Sequence, residues 1–140
     1  MQRINWWAIA VSAIVFFFIG WIWYGVLFAA AWYAAVGKAQ GSAMTGSSLY
    51  PHAVALAMAF FLSYGVARVL SWRGDVSIAK GAFIGASLAL LFFGTMTAMD
   101  YAYEVRPAVL GLINVGYVVV GTGIIGAILA AWRPRATRSR

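Results

Sequence analysis

Apolar residues along this chain run in long unbroken stretches rather than alternating with polar ones, and four of the stretches are long enough to cross a bilayer. A crossing helix needs roughly 20 mainly apolar residues, because about 30 Å of hydrocarbon is spanned at about 1.5 Å per residue. The first stretch predicts a helix over 5–33: it opens as NWWAIAVSAIVFFF, continues into AAAWYAAV, and has no ionisable side chain between Arg3 and Lys38. The other three predict helices over 51–71, 79–101 and 108–132. Backbone groups in lipid must bond within their own segment or within a closed barrel, and the strict two-residue alternation of a barrel is missing. The expected fold is all-α, a four-helix integral membrane bundle forming one transmembrane domain.

Aromatic residues mark the ends of these stretches, as expected of side chains that prefer the headgroup level. Trp6 and Trp7 open the first, Trp32 and Tyr33 close it, Tyr50 precedes the second, Trp72 follows it, and Trp132 ends the fourth. The connection GKAQGSAMTGSSLY, Gly37 to Tyr50, carries the Gly and Ser content of a flexible loop, and the other two connections are short, which predicts antiparallel neighbours. Arg3 and the run Ala29-Ala30-Ala31 imitate a secretory signal with a cleavage site. The apolar core is too long for that, since such a core has about 7 to 15 residues. The segment is expected to be retained.

Composition agrees with the pattern: 64% of residues are hydrophobic and 9% charged, with a mean hydropathy of +0.88, whereas a soluble domain is about a quarter charged. The 10 Lys and Arg outnumber the 3 Asp and Glu, and their positions matter more than their sum. With four crossings, Arg3, Arg68, Arg73, Lys80 and the four arginines of the 133–140 tail share one side, and only Lys38 and Arg106 face the other. The positive-inside rule then places both termini in the cytoplasm, in a bacterial inner membrane. Four arginines directly after a crossing are expected to set topology and touch anionic lipid, not nucleic acid.

Between helices in lipid, association depends on close approach at small residues and on a few polar contacts. The second stretch carries an i, i+4 ladder of Ala55, Ala59, Ser63 and Ala67, and the third begins with Gly81 and Gly85 in the same spacing. In the fourth, Gly116, Gly123 and Ala130 recur every seven residues as one edge, with Gly111, Asn114 and Gly121 towards another. Two edges predict two neighbours, which include a second copy or another membrane protein.

Polar residues at depth are the default functional candidates of a membrane chain. Asn114 lies about 10 Å into the fourth helix, with Tyr117 on nearly the same face. Near the far end of the third helix, Thr97, Asp100, Tyr101 and Glu104 form one stripe, and Arg106 is close enough to offset the two carboxylates. An interfacial ion pair closing a tight turn is the expected reading of that cluster, and a ligand or proton site is the sharper one. Without cysteine, thiolate metal sites and thiol nucleophiles are excluded; with His52 as the one histidine, so is bis-histidine haem ligation. No P-loop, HExxH or nucleophile-elbow pattern is present, and two carboxylates four apart are weak grounds for acid–base chemistry. No catalytic, cofactor-binding or metal-binding residues are assigned.

The chain resembles the bacterial membrane family called domain of unknown function 1761. The resemblance rests on Trp23-Tyr24-Gly25-Val26-Leu27-Phe28 with Trp32 following, on Arg106-Pro107, on Ile113-Asn114-Val115-Gly116-Tyr117, and on Gly126-Ala127-Ile128-Leu129. It implies a compact four-helix membrane protein without an assigned activity. Val26 stands where the family pattern has proline, so a proline kink in the first helix is not carried over. Read from the residues alone, Trp21, Tyr24 and Phe28 share a face, with Gly25 and Ala29 as an adjacent small edge. The Tyr24 hydroxyl is too deep to serve only as an interface anchor, and Asn114 and Tyr117 match its depth as partners.

These readings point to a non-enzymatic interaction or accessory protein, with a small oligomeric transporter or channel as the rival.

Overall fold

The computed structural model of the chain describes residues 4–39 and 49–132. Arg3, most of the Gly37–Tyr50 loop and the arginines of the 133–140 tail, which carry part of the orientation argument, lie outside the described residues. Helix α1 is Trp6–Ile22; a π-helical stretch, Trp23–Leu27, leads to a short helix α2, Ala29–Ala35. Helix α3 is Tyr50–Ser71. Helix α4, Ile78–Leu88, passes through a second π-helical stretch, Ala89–Gly94, into α5, Thr95–Tyr103, and α6 is Ala108–Ala131. Four spans, Trp6–Leu27, Tyr50–Ser71, Ile78–Tyr103 and Ala108–Ala131, are long and apolar enough to cross a membrane. No strand occurs among the described residues.

Local chemistry sets the helix starts. The Asn5 side chain accepts the N–H groups of Trp7 and Ala8 at 3.1 and 3.2 Å, filling two donor positions that a helix leaves open. Ser77 caps α4 through the Lys80 N–H, Pro51 occupies the first turn of α3, and Pro107 opens α6. The one helix expected over 5–33 is instead broken at Phe28, whose φ of −119° and ψ of 14° leave helical space. No proline is needed for the break. The Phe28 N–H reaches the Trp23 carbonyl at 2.9 Å, five residues back, and this widened turn interrupts the α-helical ladder.

Helix α6 is the hub. It packs against α1, α3 and α4, and α1 also packs against α3. Its register with α1 is antiparallel: Asn5 Nδ2 donates to the Trp132 carbonyl at 3.1 Å, the Phe16 ring covers Gly121, and the Trp23 ring covers Gly116. Trp6 stacks on Tyr64, and Phe17 meets His52 edge-on further along, so α1 and α3 are antiparallel too. Asn5 and Trp132 therefore share one end of the molecule, and the turn between α5 and α6 lies at the other. The α1 residues Ile9, Ala13 and Phe16, spaced for one face, join Ala59, Val66, Leu70, Ile125 and Leu129 in the core.

The third span joins α6 through glycine. A methyl group built on Gly81 would overlap the Gly126 carbonyl, one on Gly85 the Thr122 carbonyl, and one on Gly126 the Gly81 carbonyl. Backbones touch directly here, the close approach that small residues permit in lipid. Ala59, Ser63 and Ala67 are buried as the small ladder of the second span predicts, whereas Ala55 is exposed. The two expected edges of α6 exist with altered membership. Gly123 faces Ala82 and Ala86 of α4 and Gly121 faces α1, but Gly116 is covered by the long Trp23 indole of the first span. Gly25 meets nothing within 4 Å, because the π-helical stretch turns it outward, and Trp21 is 69% exposed and does not share the inward face of Tyr24.

Candidate functional site

Two positions bring the deep polar side chains together: the π-helical stretch of the first span, which presents Trp23 and Tyr24 to α6, and the end of α5. The Tyr24 hydroxyl donates to Asn114 Oδ1 at 2.9 Å, and Asn114 Nδ2 donates to the Tyr101 hydroxyl at 2.7 Å. A single carboxamide thus ties the first, fourth and third spans at one level. Asn114 suits this place because its side chain offers donor and acceptor at once. Gly111, one turn before Asn114, lets the Tyr101 ring lie against α6, 3.3 Å from where a methyl group would stand.

Tyr117, the second partner expected for Tyr24, bonds elsewhere. Its hydroxyl donates to the Phe16 carbonyl at 3.2 Å, in space that Gly20 leaves open, and its ring meets Tyr24 edge-on at 5.2 Å. Trp23 Nε1 donates to the Ile113 carbonyl at 3.0 Å, and the indole packs on Phe28 at 4.7 Å. An aromatic cluster of Phe16, Trp23, Tyr24, Phe28 and Tyr117 therefore fills the space between the first span and α6 around the Asn114 carboxamide.

The turn after α5 has its own geometry. The Arg106 N–H returns to the Tyr101 carbonyl at 3.0 Å, the six-to-one bond of a Schellman ending. Such endings place a left-handed residue just past the helix, usually glycine; here it is Val105 at φ 54°. A β-branched side chain at that φ is strained. The turn carries Arg106 back over the Tyr101 ring, with the guanidinium carbon 5.4 Å from the centroid, and the Arg106 Nε pairs with Glu104. The expected ion pair closing a tight turn is therefore present, formed with Glu104. Asp100 is exposed and makes no ion pair among the described residues.

Of the expected cluster, Tyr24, Asn114, Arg106 and Glu104 form one connected set through Tyr101; Tyr117 joins by ring contact, and Asp100 stays outside. Tyr101, which the sequence places on the stripe with Thr97, Asp100 and Glu104 but not among the partners expected for Tyr24 and Asn114, is the link between the two groups. Towards the other end, the hydroxyls of Ser12, Ser63 and Thr122 are buried without a hydrogen-bond partner among the described residues. None of these three was singled out as a polar site.

The arrangement can lock helices together and present a guanidinium beside a phenol at one end. Among the described residues, no three His, Cys, Asp or Glu side chains gather as a metal-holding group. No curated protein and no solved structure matches the chain. The family model described as "Protein of unknown function (DUF1761)" matches residues 7–130, nearly the whole chain and all four spans, and the protein belongs to that family.

Proposed function

We propose that this chain is a small non-enzymatic accessory or structural subunit of the bacterial cytoplasmic membrane, folded as a four-helix bundle with both termini in the cytoplasm. It works through lateral contacts with a second copy or another membrane protein. The observation that carries this reading is how the deep polar groups are used: Tyr24, Asn114 and Tyr101 bond to one another across three spans, and Tyr117 bonds to the Phe16 carbonyl. What the middle of the spans turns outward is mainly apolar, including a groove of about 640 Å³ between α3 and the α4 side of α6, bordered by Met58, Leu62, Leu88, Phe92 and Val118. The basic tail rests on anionic lipid at the cytoplasmic face rather than on nucleic acid. Cross-linking in native membranes followed by mass spectrometry tests the proposal. Contacts to self or to a recurrent membrane partner are expected, and monomer alone would overturn it.

The rival, a small transporter or channel, draws on Ser12, Ser63 and Thr122, whose unpartnered hydroxyls add polar groups to the otherwise apolar half of the molecule. Purified protein in liposomes would then pass an ion or solute, and Asn114→Leu would abolish the flux. Absence of flux across a broad solute panel removes this reading.

A further inference from the structure

Beside the Tyr101 ring, the outer surface of the third and fourth spans opens into a second groove of about 660 Å³. Its apolar walls include Leu91, Gly94, Ala98, Gly111, Leu112 and Val115, and Arg106 lines one end. The groove runs along α6 from Ala108 to Val115 and along the third span from Leu90 to Ala102, a length of about 10 to 18 Å at helical rise. That is the thickness of one hydrocarbon leaflet, about 15 Å. The groove's volume lies in the range of about 300–1000 Å³ that suits a single small ligand.

The charges at the Arg106 end narrow the choice. Glu104 engages the Nε of Arg106, which leaves the terminal N–H groups of the guanidinium fork to other acceptors. Tyr101, whose hydroxyl accepts from Asn114, retains its own hydrogen to donate. Glu104 sits at this end as the ion-pair partner of Arg106, so a purely anionic headgroup meets a cation already faced by a carboxylate. A zwitterionic headgroup satisfies both signs. Tyr103, 85% exposed at this end, is of the residue type that settles at headgroup level. The strained Val105 gains a reason as well, because its left-handed backbone returns Arg106 to the groove instead of letting α5 continue.

We propose that this groove binds a zwitterionic phospholipid, with an acyl chain between the third and fourth spans, the phosphate on Arg106, and the headgroup ammonium towards Glu104. The site stands on its own and does not require self-association.

Native mass spectrometry of the purified full chain, extracted from vesicles of equimolar phosphatidylethanolamine and phosphatidylglycerol, measures which lipid stays bound. The unmodified chain is expected to retain phosphatidylethanolamine in preference. Arg106→Gln is expected to lower retention about tenfold, the loss of one charge-assisted hydrogen bond to the phosphate. Ala98→Trp fills the groove from an exposed position one turn before Tyr101, and it is expected to lower retention of both lipids. Glu104→Gln removes a carboxylate and is expected to shift preference towards phosphatidylglycerol. Circular dichroism of each variant establishes that the helices persist; should Arg106→Gln unfold, Ala98→Trp and Glu104→Gln decide. Equal retention by the unmodified chain and Ala98→Trp would overturn the proposal. So would preference of the unmodified chain for phosphatidylglycerol, or displacement of lipid by a second copy.

Discussion

Asn114 gives a carboxamide N–H to the Tyr101 hydroxyl at 2.7 Å, and through that one bond the end of the third span is fixed to the first third of the fourth. The same side chain accepts from Tyr24 of the first span. An apolar helix in lipid has little else to hold its rotation, because a neighbouring acyl chain is as favourable as a neighbouring leucine.

Replacing Asn114 by Leu removes both bonds and leaves two phenols without their partner. A loss of about 1–2 kcal/mol is expected, at the upper end for hydrogen bonds between membrane helices. Tyr24→Phe removes only one bond and should cost about 0.6 kcal/mol. Unfolding in mixed detergent micelles measures both, and a double-mutant cycle on Tyr24 and Asn114 should show coupling.

Glycine contacts between the third and fourth spans make a sharper prediction. Gly126→Ala drives a methyl group into the Gly81 carbonyl, so α4 must move away from α6 at a cost of about 1–3 kcal/mol. Gly65 of α3 meets nothing within 4 Å, and Gly65→Ala should be neutral or stabilise by up to about 1 kcal/mol. The same unfolding assay compares them; equal destabilisation by the two would refute the close approach.

Val105 holds a left-handed backbone that costs a residue with a Cβ about 1–2 kcal/mol. Val105→Gly relieves that strain and gives back part of it as unfolded-chain entropy, so a net gain of up to about 1 kcal/mol is expected. Val105→Pro is expected to destabilise, because its ring forbids the positive φ.

Topology follows from the distribution of Lys and Arg. A reporter active only outside the cytoplasm should be silent when fused after Arg140 and active when inserted near Ser47. Neutralising the four tail arginines should preserve orientation, since Arg3, Arg68, Arg73 and Lys80 still outnumber Lys38 and Arg106. Neutralising Arg68, Arg73 and Lys80 as well should give mixed orientation. An external signal from the unmodified C-terminal fusion would mean a miscounted crossing or a cleaved first segment, and the N-terminal sequence of the mature chain separates the two.

The four spans, the ends of the last three within a few residues, and the depth match of Tyr24 with Asn114 were legible in the sequence. Hydropathy is a local property, and depth along a helix accumulates at a constant rise per residue, so one dimension of the fold can be counted off directly. Rotation about each helix axis is different. A segment apolar on every face has no polar side to mark its exterior, and spacing alone placed Trp21 and Gly25 inward where packing turned them out. Only the tertiary structure decided that the chain breaks at Phe28 without a proline, that Tyr117 bonds the Phe16 carbonyl, and that Tyr101 takes the place beside Asn114. It also decided that α6 is the hub. The small edge at Gly81 and Gly85 was legible, but which helix it meets depends on backbone carbonyls of α6, atoms common to every residue, and is decided only when the helices are side by side.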